Sequence, residues 1–340
     1  MKGIKLRTTL TILAGVFLIV AAGCNGPGGG RKPLPGGREL LTVNFEEGQS
    51  LTYKFVCRRE IDINWDPTGK ASRSGKAASD KSTETLEVVM VYRPVEVDPF
   101  GLTTVEATCS SVRVQRSKRG GASGGRKDAV EYAAGRTFKL SVGPGGKIED
   151  YSELDKLVKE MGERAFRANT DRGRIKEPDM IGDFISTQWF LWDSVSSVKN
   201  AVEGVAVGDS WGSQLSVPSP IVMRKARDVT YTVAEFRGSE QGRLAVIDSN
   251  YTLAESVPKS WPVPYSGRFQ MSGTFGFLGG YKILSLEGQG QELYNIEAGR
   301  TEQYNQQYEM ELDSSIPLGI DATPRISIKQ TITAQLLMLP

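Results

Sequence analysis

Histidine is absent from the 340 residues. That absence removes Ser-His-Asp and Cys-His nucleophiles, HExxH metalloproteases and His-ligated zinc or haem. The acids remain, and a pair such as Asp209 with Glu235 would suit a carboxylate-based glycan hydrolase if the fold set their separation. Asp62, Asn64 and Asp66 alternate like the opening of a calcium loop. Pro67, however, stands where such a loop needs Gly, and Arg73 where it needs the bidentate Glu. No metal and no cofactor is expected. Trp189-Phe190-Leu191-Trp192 is the densest apolar run outside the N-terminus. It reads as the plug of a core, or else Trp189, Phe190 and Trp192 line a pocket for a lipid or other apolar ligand. Two loops are basic. Arg116, Lys118, Arg119, Arg126 and Lys127 form one set, and Lys70, Arg73, Lys76 and Lys81 the other. In a meander they emerge at one end, as a crown able to touch anionic headgroups or an envelope polymer, or simply as solvated loops.

Three cysteines carry different expectations. Cys57 and Cys109 each fall on the apolar side of an alternating run. With a strand between theirs, neighbour spacing puts their Cα atoms about 10 Å apart, beyond the ~7 Å reach of a disulfide. Two buried thiols and a disulfide stay open as alternatives. Cys24 is different, because of what precedes it. Lys2, Lys5 and Arg7 are followed by an uncharged stretch from Thr8 to Gly23. At about 16 residues it is short of the roughly 20 that span a bilayer. A positive start, a short apolar run and a small-residue exit describe a cleaved secretion signal over residues 1–23.

The exit, Val20-Ala21-Ala22-Gly23-Cys24, resembles the bacterial lipobox, with Ala21 where Leu is commoner. The resemblance implies a diacylglyceryl group on the Cys24 thiol, cleavage before it and acylation of the new amine. Two or three chains anchor stably where one does not. Asn25, rather than Asp, implies outer-membrane placement facing the periplasm. Residues 24–40 then read as the lipidated cysteine and a Gly/Pro tether too poor in apolar residues to bury a core.

Removing Lys2, Lys5 and Arg7 leaves 39 Lys plus Arg against 40 Asp plus Glu. The whole-chain charge of +2 therefore belongs to the signal, and net charge gives no reason to expect nucleic acid.

The elements that must position these groups are mostly strands. Period-two alternation marks Leu51–Ile63, Thr85–Val97, Leu102–Gln115 and Tyr132–Val142, with Asp98-Pro99-Phe100-Gly101 as a turn. A helix is expected from Ser152, capped by it with Asp155, carrying Leu154, Leu157, Val158, Met161 and Ala165 on one face. A second spans Pro178 to about Val195. Strands resume at 207–211, 228–236, 242–253, 266–277, 281–291, 299–312 and 325–338. The start of each half echoes the other: Glu47–Leu51 against Val207–Trp211, and Gly101–Cys109 against Gly242–Asn250. A degenerate duplication would give this, and so would any two antiparallel hairpins.

The expected fold is mainly β, a β-rich α+β arrangement of large antiparallel sheets with two helices inserted mid-chain. The expected division is a first β unit over 41–148, a helical segment over 149–200 and a second β unit over 201–340. In architecture this loosely resembles uncharacterised envelope lipoproteins. It also resembles the periplasmic lipoprotein carriers and their outer-membrane receptor, whose half-barrel sheet closes over a helical plug. The function expected is non-enzymatic: binding or scaffolding at the envelope, through the membrane anchor and an envelope protein or polymer. A carrier or sensor of an apolar or lipid ligand is the first alternative, and the glycan hydrolase the second.

Overall fold

A computed structural model describes residues 34–46, 48–68, 79–118, 127–167, 174–175, 180–221, 225–257, 270–271, 273–316 and 323–337. The signal, Cys24 and most of the tether lie outside these residues. The chain is mostly β, as its alternation requires. Eleven strands form one antiparallel sheet: β1 (Leu51–Asn64), β2 (Ser79–Val97), β3 (Thr103–Lys118), β4 (Thr137–Val142), β5 (Ile148–Asp150), β6 (Ser210–Ser216), β7 (Ala226–Ser239), β8 (Gly242–Leu253), β9 (Gly279–Asn295), β10 (Arg300–Ser315) and β11 (Arg325–Leu337). Across the sheet the order is β5-β4-β3-β2-β1-β11-β10-β9-β8-β7-β6. The chain meanders from the middle to one edge, crosses as helices, and meanders back from the other edge until β11 pairs with β1.

Both meanders are therefore laid down in the same sense. Gly101 and Gly242, both at positive φ, open β3 and β8 from the same end of the sheet. The echoes in sequence fall at equivalent places, the arrangement a duplication would need. The two β units are nevertheless joined edge to edge in a single sheet.

The crossing holds α1 (Ser152–Arg167), α2 (Ile181–Phe190) and the single turn α3 (Asp193–Ser196). Leu154, Leu157, Val158 and Met161 of α1 are buried, as the helical spacing predicts. The expected cap is replaced: Asp150 Oδ1 accepts the Ser152 N–H, and Asp155 pairs with Lys159 instead. Between Gln115 and β4, the expected early strand start fails because Asp128 caps a 3-10 turn over Ala129–Ala133, with Glu131 closing the capping box. Of 266–277, expected as a strand, Gly273–Phe277 is a helical turn, because Phe275 and Leu278 are buried three residues apart on one face. Gln270–Met271 pairs in parallel with Arg174–Ile175.

One face of the sheet is buried under the helices and the other is polar. Residues 34–46 form a strap across one end. Glu39 pairs with Val205, just before β6, and the Val43 N–H donates to Pro144, just after β4. Four residues reach at most about 14 Å. The sheet therefore curls until its two edges approach at the strapped end, giving a half-barrel around the helices.

Candidate functional site

The alternating strands send their even or odd positions inward, and most of those are apolar. One inward row is not. Read by register, directly opposed inner residues run Arg116–Glu84–Arg59–Gln330–Tyr308–Gly288–Tyr251–Val229 across seven neighbouring strand pairs. A polar band thus crosses the sheet under α2.

At one end the band is an ion cluster. Arg59, fully buried, reaches Glu84 at 2.5 Å and Asp183 of α2 at 3.1 Å. Arg116 bridges Glu84 at 2.9 Å and Asp128 at 2.5 Å. Burial works against charge on Arg59, but Asp183 and Glu84 outweigh it and raise the guanidinium above its ordinary range. Burial would raise Glu84, and Arg59 with Arg116 overcome this and hold it below the ordinary carboxylate range. Asp183 is pushed up by burial despite Arg59. Gln330 Nε2 donates to Asp183 at 2.9 Å.

At the other end sits Arg227, on the row beside the band. It is fully buried, and its Nε, Nη1 and Nη2 have no hydrogen-bond partner. Three rings surround it: Tyr251 at 4.4 Å, Tyr308 at 4.6 Å and Phe190 of α2 at 5.4 Å. Desolvated cation–π contacts return about 2 kcal/mol each. They act on the faces of the guanidinium and leave its in-plane N–H groups without acceptors, which costs several kcal/mol. The side-chain oxygen and nitrogen of Gln306, two residues from Tyr308 on the same face, are also unsatisfied, as are Arg59 Nη2 and Gln330 Oε1. Vacant donors therefore lie along the band beneath the helices.

Two further acids in this layer are pushed up by burial. Burial raises Asp193 to about 6, against hydrogen bonds from Tyr231 and Ser213 that lower it. Burial raises Glu292 to about 7. Geometry likewise puts a proton on Glu292. Thr301 Oγ1 lies 2.8 Å from the Leu191 carbonyl and 2.6 Å from Glu292 Oε1. The hydroxyl has one hydrogen and Leu191 can only accept, so the other hydrogen must come from Glu292.

The sequence-derived residues divide. Phe190 is brought to Arg227 and stacks on Tyr304. Trp192 is core, edge-on to Tyr92 and Phe45 beneath the strap, and Trp189 packs on Tyr151 before α1. The three do not line one pocket. The two basic loops do leave the same end of the sheet, but Arg116 is not part of a crown, because Glu84 and Asp128 hold it on the inner face at 11% exposure. Lys127 is exposed over the Tyr132 ring and Lys81 pairs with Asp62. Lys118 ends β3, its side chain outside the described residues; Lys70, Arg73, Lys76, Arg119 and Arg126 lie outside them altogether. Asp209 is taken by Arg38, and Glu235 faces Arg237, so that acid pair is not assembled. Asn64 accepts the Asp66 N–H in a turn. Cys57 and Cys109 are free, buried thiols with β2 between them.

The outer face carries a groove of about 700 Å³ lined by Arg58, Glu60, Glu287, Glu309, Glu311 and Lys329. Glu287 and Glu309 are direct cross-strand partners. The groove is open to solvent, and Asp183, Asp193 and Glu292, which burial raises, face the other side of the sheet. It can hydrogen-bond a polar chain along its charged lining. No described helix is long and apolar enough to cross a membrane.

Arg59, Arg227, Gln306, Gln330, Asp193 and Glu292 escape a search for motifs. For those on strands the signal exists: each is a polar residue at an inward place in an otherwise apolar alternation. Comparison with known proteins finds no matching family model and no matching curated protein.

Proposed function

We propose that this chain is an exported envelope lipoprotein, anchored through Cys24, whose half-barrel is a non-enzymatic binding protein for an amphipathic anion. One observation supports the choice of ligand: the buried, unaccepted guanidinium of Arg227 among aromatic rings. A carboxylate or phosphate group there would supply the acceptors its N–H groups lack. Phe190, Tyr304 and the apolar core beside them suit the ligand's tail. Catalysis is not part of this reading, since the raised acids are sealed inside and are already engaged by Thr301, Ser213 and Tyr231. Asn25, following the lipobox-like cysteine, supports an outer-membrane position facing the periplasm.

Besides the apolar packing of Ile181, Phe184 and Phe190 and the Asp183–Arg59 pair, polar contacts join the cover to the sheet. Tyr92 donates to Gln188, Ser186 and Ser216 share a hydrogen bond at 2.7 Å, and the Trp211 indole N–H donates to the Ser194 carbonyl. Such contacts exchange with water when α2 lifts, giving the ligand a way in.

The test uses the mature protein, extracted mildly and examined by native mass spectrometry. It should carry an acidic amphiphile that denaturation releases. After stripping, a long-chain fatty acid should raise its melting temperature, whereas the matching alcohol should not. Arg227→Met should abolish the shift and Arg227→Lys should keep part of it. An empty protein whose melting is unmoved by either probe refutes the ligand reading and leaves the anchor standing.

A further inference from the structure

Large apolar side chains exposed on this body are unevenly placed. Eight are described, and six of them lie at the strapped end: Val95, Val97, Phe100, Leu102, Val202 and Val207. Phe277 and Leu284 lie toward the other end, near where β9 begins. Phe100 and Val202 are each 88% exposed, far more than an aromatic or branched side chain gains from water.

The Phe100 tip is a built turn. Asp98 Oδ1 accepts both the Phe100 and Leu102 N–H groups at 2.8 Å, and the Asp98 carbonyl accepts from Gly101 at 3.0 Å. Gly101 takes the positive φ the turn needs and sits against Pro144, whose carbonyl holds the strap at Val43. Val202 is fixed from the strap's other side. Arg38 donates to the carbonyls of Glu203 and Gly204, and Leu34 lies against Gly204. The two most exposed apolar residues thus flank the strap, and the chain joins the body at Leu34, which bridges Arg38 beside the Glu39–Val205 bridge. Only nine residues lie between Cys24 and Leu34, a span of at most about 35 Å.

We infer that the strapped end is a membrane-contact face, with Phe100 and Val202 entering the interface of the bilayer that holds the Cys24 lipid. The occupant follows from where the chain enters: an anchor within ten residues of this end confines it to the lipid surface, and an apolar tip there gains by leaving water. This rests on the lipoprotein reading. The contact orients the body with its strap toward the lipid and the basic loops away from it, which a tether alone does not do.

The experiment uses lipidated mature protein in vesicles of phosphatidylethanolamine and phosphatidylglycerol. Phe100→Cys, Val202→Cys and, as the opposite-end control, Phe277→Cys are each labelled with an environment-sensitive dye; Cys57 and Cys109 are buried and stay unlabelled. The labels at 100 and 202 should shift to the blue and be quenched by lipid-borne nitroxide at least about twofold more than the label at 277. Equal, water-like emission at all three positions, with acylated Cys24 confirmed by mass, overturns the contact alone. An unacylated Cys24 overturns the anchor and the contact together.

Discussion

Replacing Glu292 by Gln isolates one buried proton. Glu292 is 1% exposed, and its folded pKa is raised from 4.5 to about 7 by burial. Between those values the folded chain holds a proton that the unfolded chain has lost. Stability from this group is fully present below about pH 4.5 and is lost as pH rises through about 7. At 1.36 kcal/mol per unit the loss is about 3 kcal/mol by pH 8. Asp193, raised from 3.8 to about 6 by burial, adds a loss of similar size over a lower window. Gln mimics the protonated acid, because its amide nitrogen can donate to Thr301 Oγ1 where the acid does now. Glu292→Gln should therefore match the parent at pH 5 and exceed it at pH 8, by about 3 kcal/mol or roughly 5–10 °C in melting temperature. Urea or thermal melts of both proteins at pH 5, 6, 7 and 8 measure this. If the variant falls with pH as steeply as the parent, Glu292 is not the buried proton. If it is weaker by the same amount at every pH, the bonding assigned to Thr301 is wrong.

Gly288→Ala should destabilise by at least about 3 kcal/mol in a urea melt, since a Cβ there would lie 2.3 Å from the Gln307 carbonyl and 2.5 Å from Tyr308 Cβ. A loss under 1 kcal/mol would mean that the strands do not approach as closely as described. Arg59→Met should cost about 3–5 kcal/mol at pH 7 by stranding buried acids, and adding Asp183→Asn should recover part of it. A double variant no better than the single would show that Asp183 is not charged in the native state.

Alternation alone located nine of the eleven strands and touched a tenth, β6, only at Ser210–Trp211, because a sheet with one buried face writes period two into its sequence. The eleventh, β5, has three residues, too few to show a period. Failures came where local chemistry outweighed pattern. Asp128 and Glu131 cap a turn where Tyr132 and its neighbours read as strand, and Gly273–Phe277 buries two residues on a helical rather than a strand period. The candidate site was less legible, for a related reason. Inward parity marks the apolar face, and Arg59, Glu84 and Arg116 sit on it as charges that belong to no motif. Arg116 is the plainest case: read as part of a basic loop run, it is two places beyond Val114 on the same inward face. Which inward polar residues align on neighbouring strands depends on register, and register between β1 and β11 joins residues some 270 apart in the chain. Nothing local encodes that.

The placement of β1 explains why the strap and most of the exposed apolar tips share an end. The first strand of a meander that must later be met by the last lies in the middle of the sheet, so the chain has to cross one open end of the half-barrel to reach it. Residues 34–46 make that crossing, and in doing so they tie β4 to the approach of β6 and close that end. The edges of the sheet then approach each other at the strapped end. The proposed ligand would then enter on the side where α2 covers the band, away from the strap. The proposed membrane face and ligand site are separable: cutting the Arg38 contacts to Glu203 and Gly204 should loosen the first while leaving Arg227 and its rings in place.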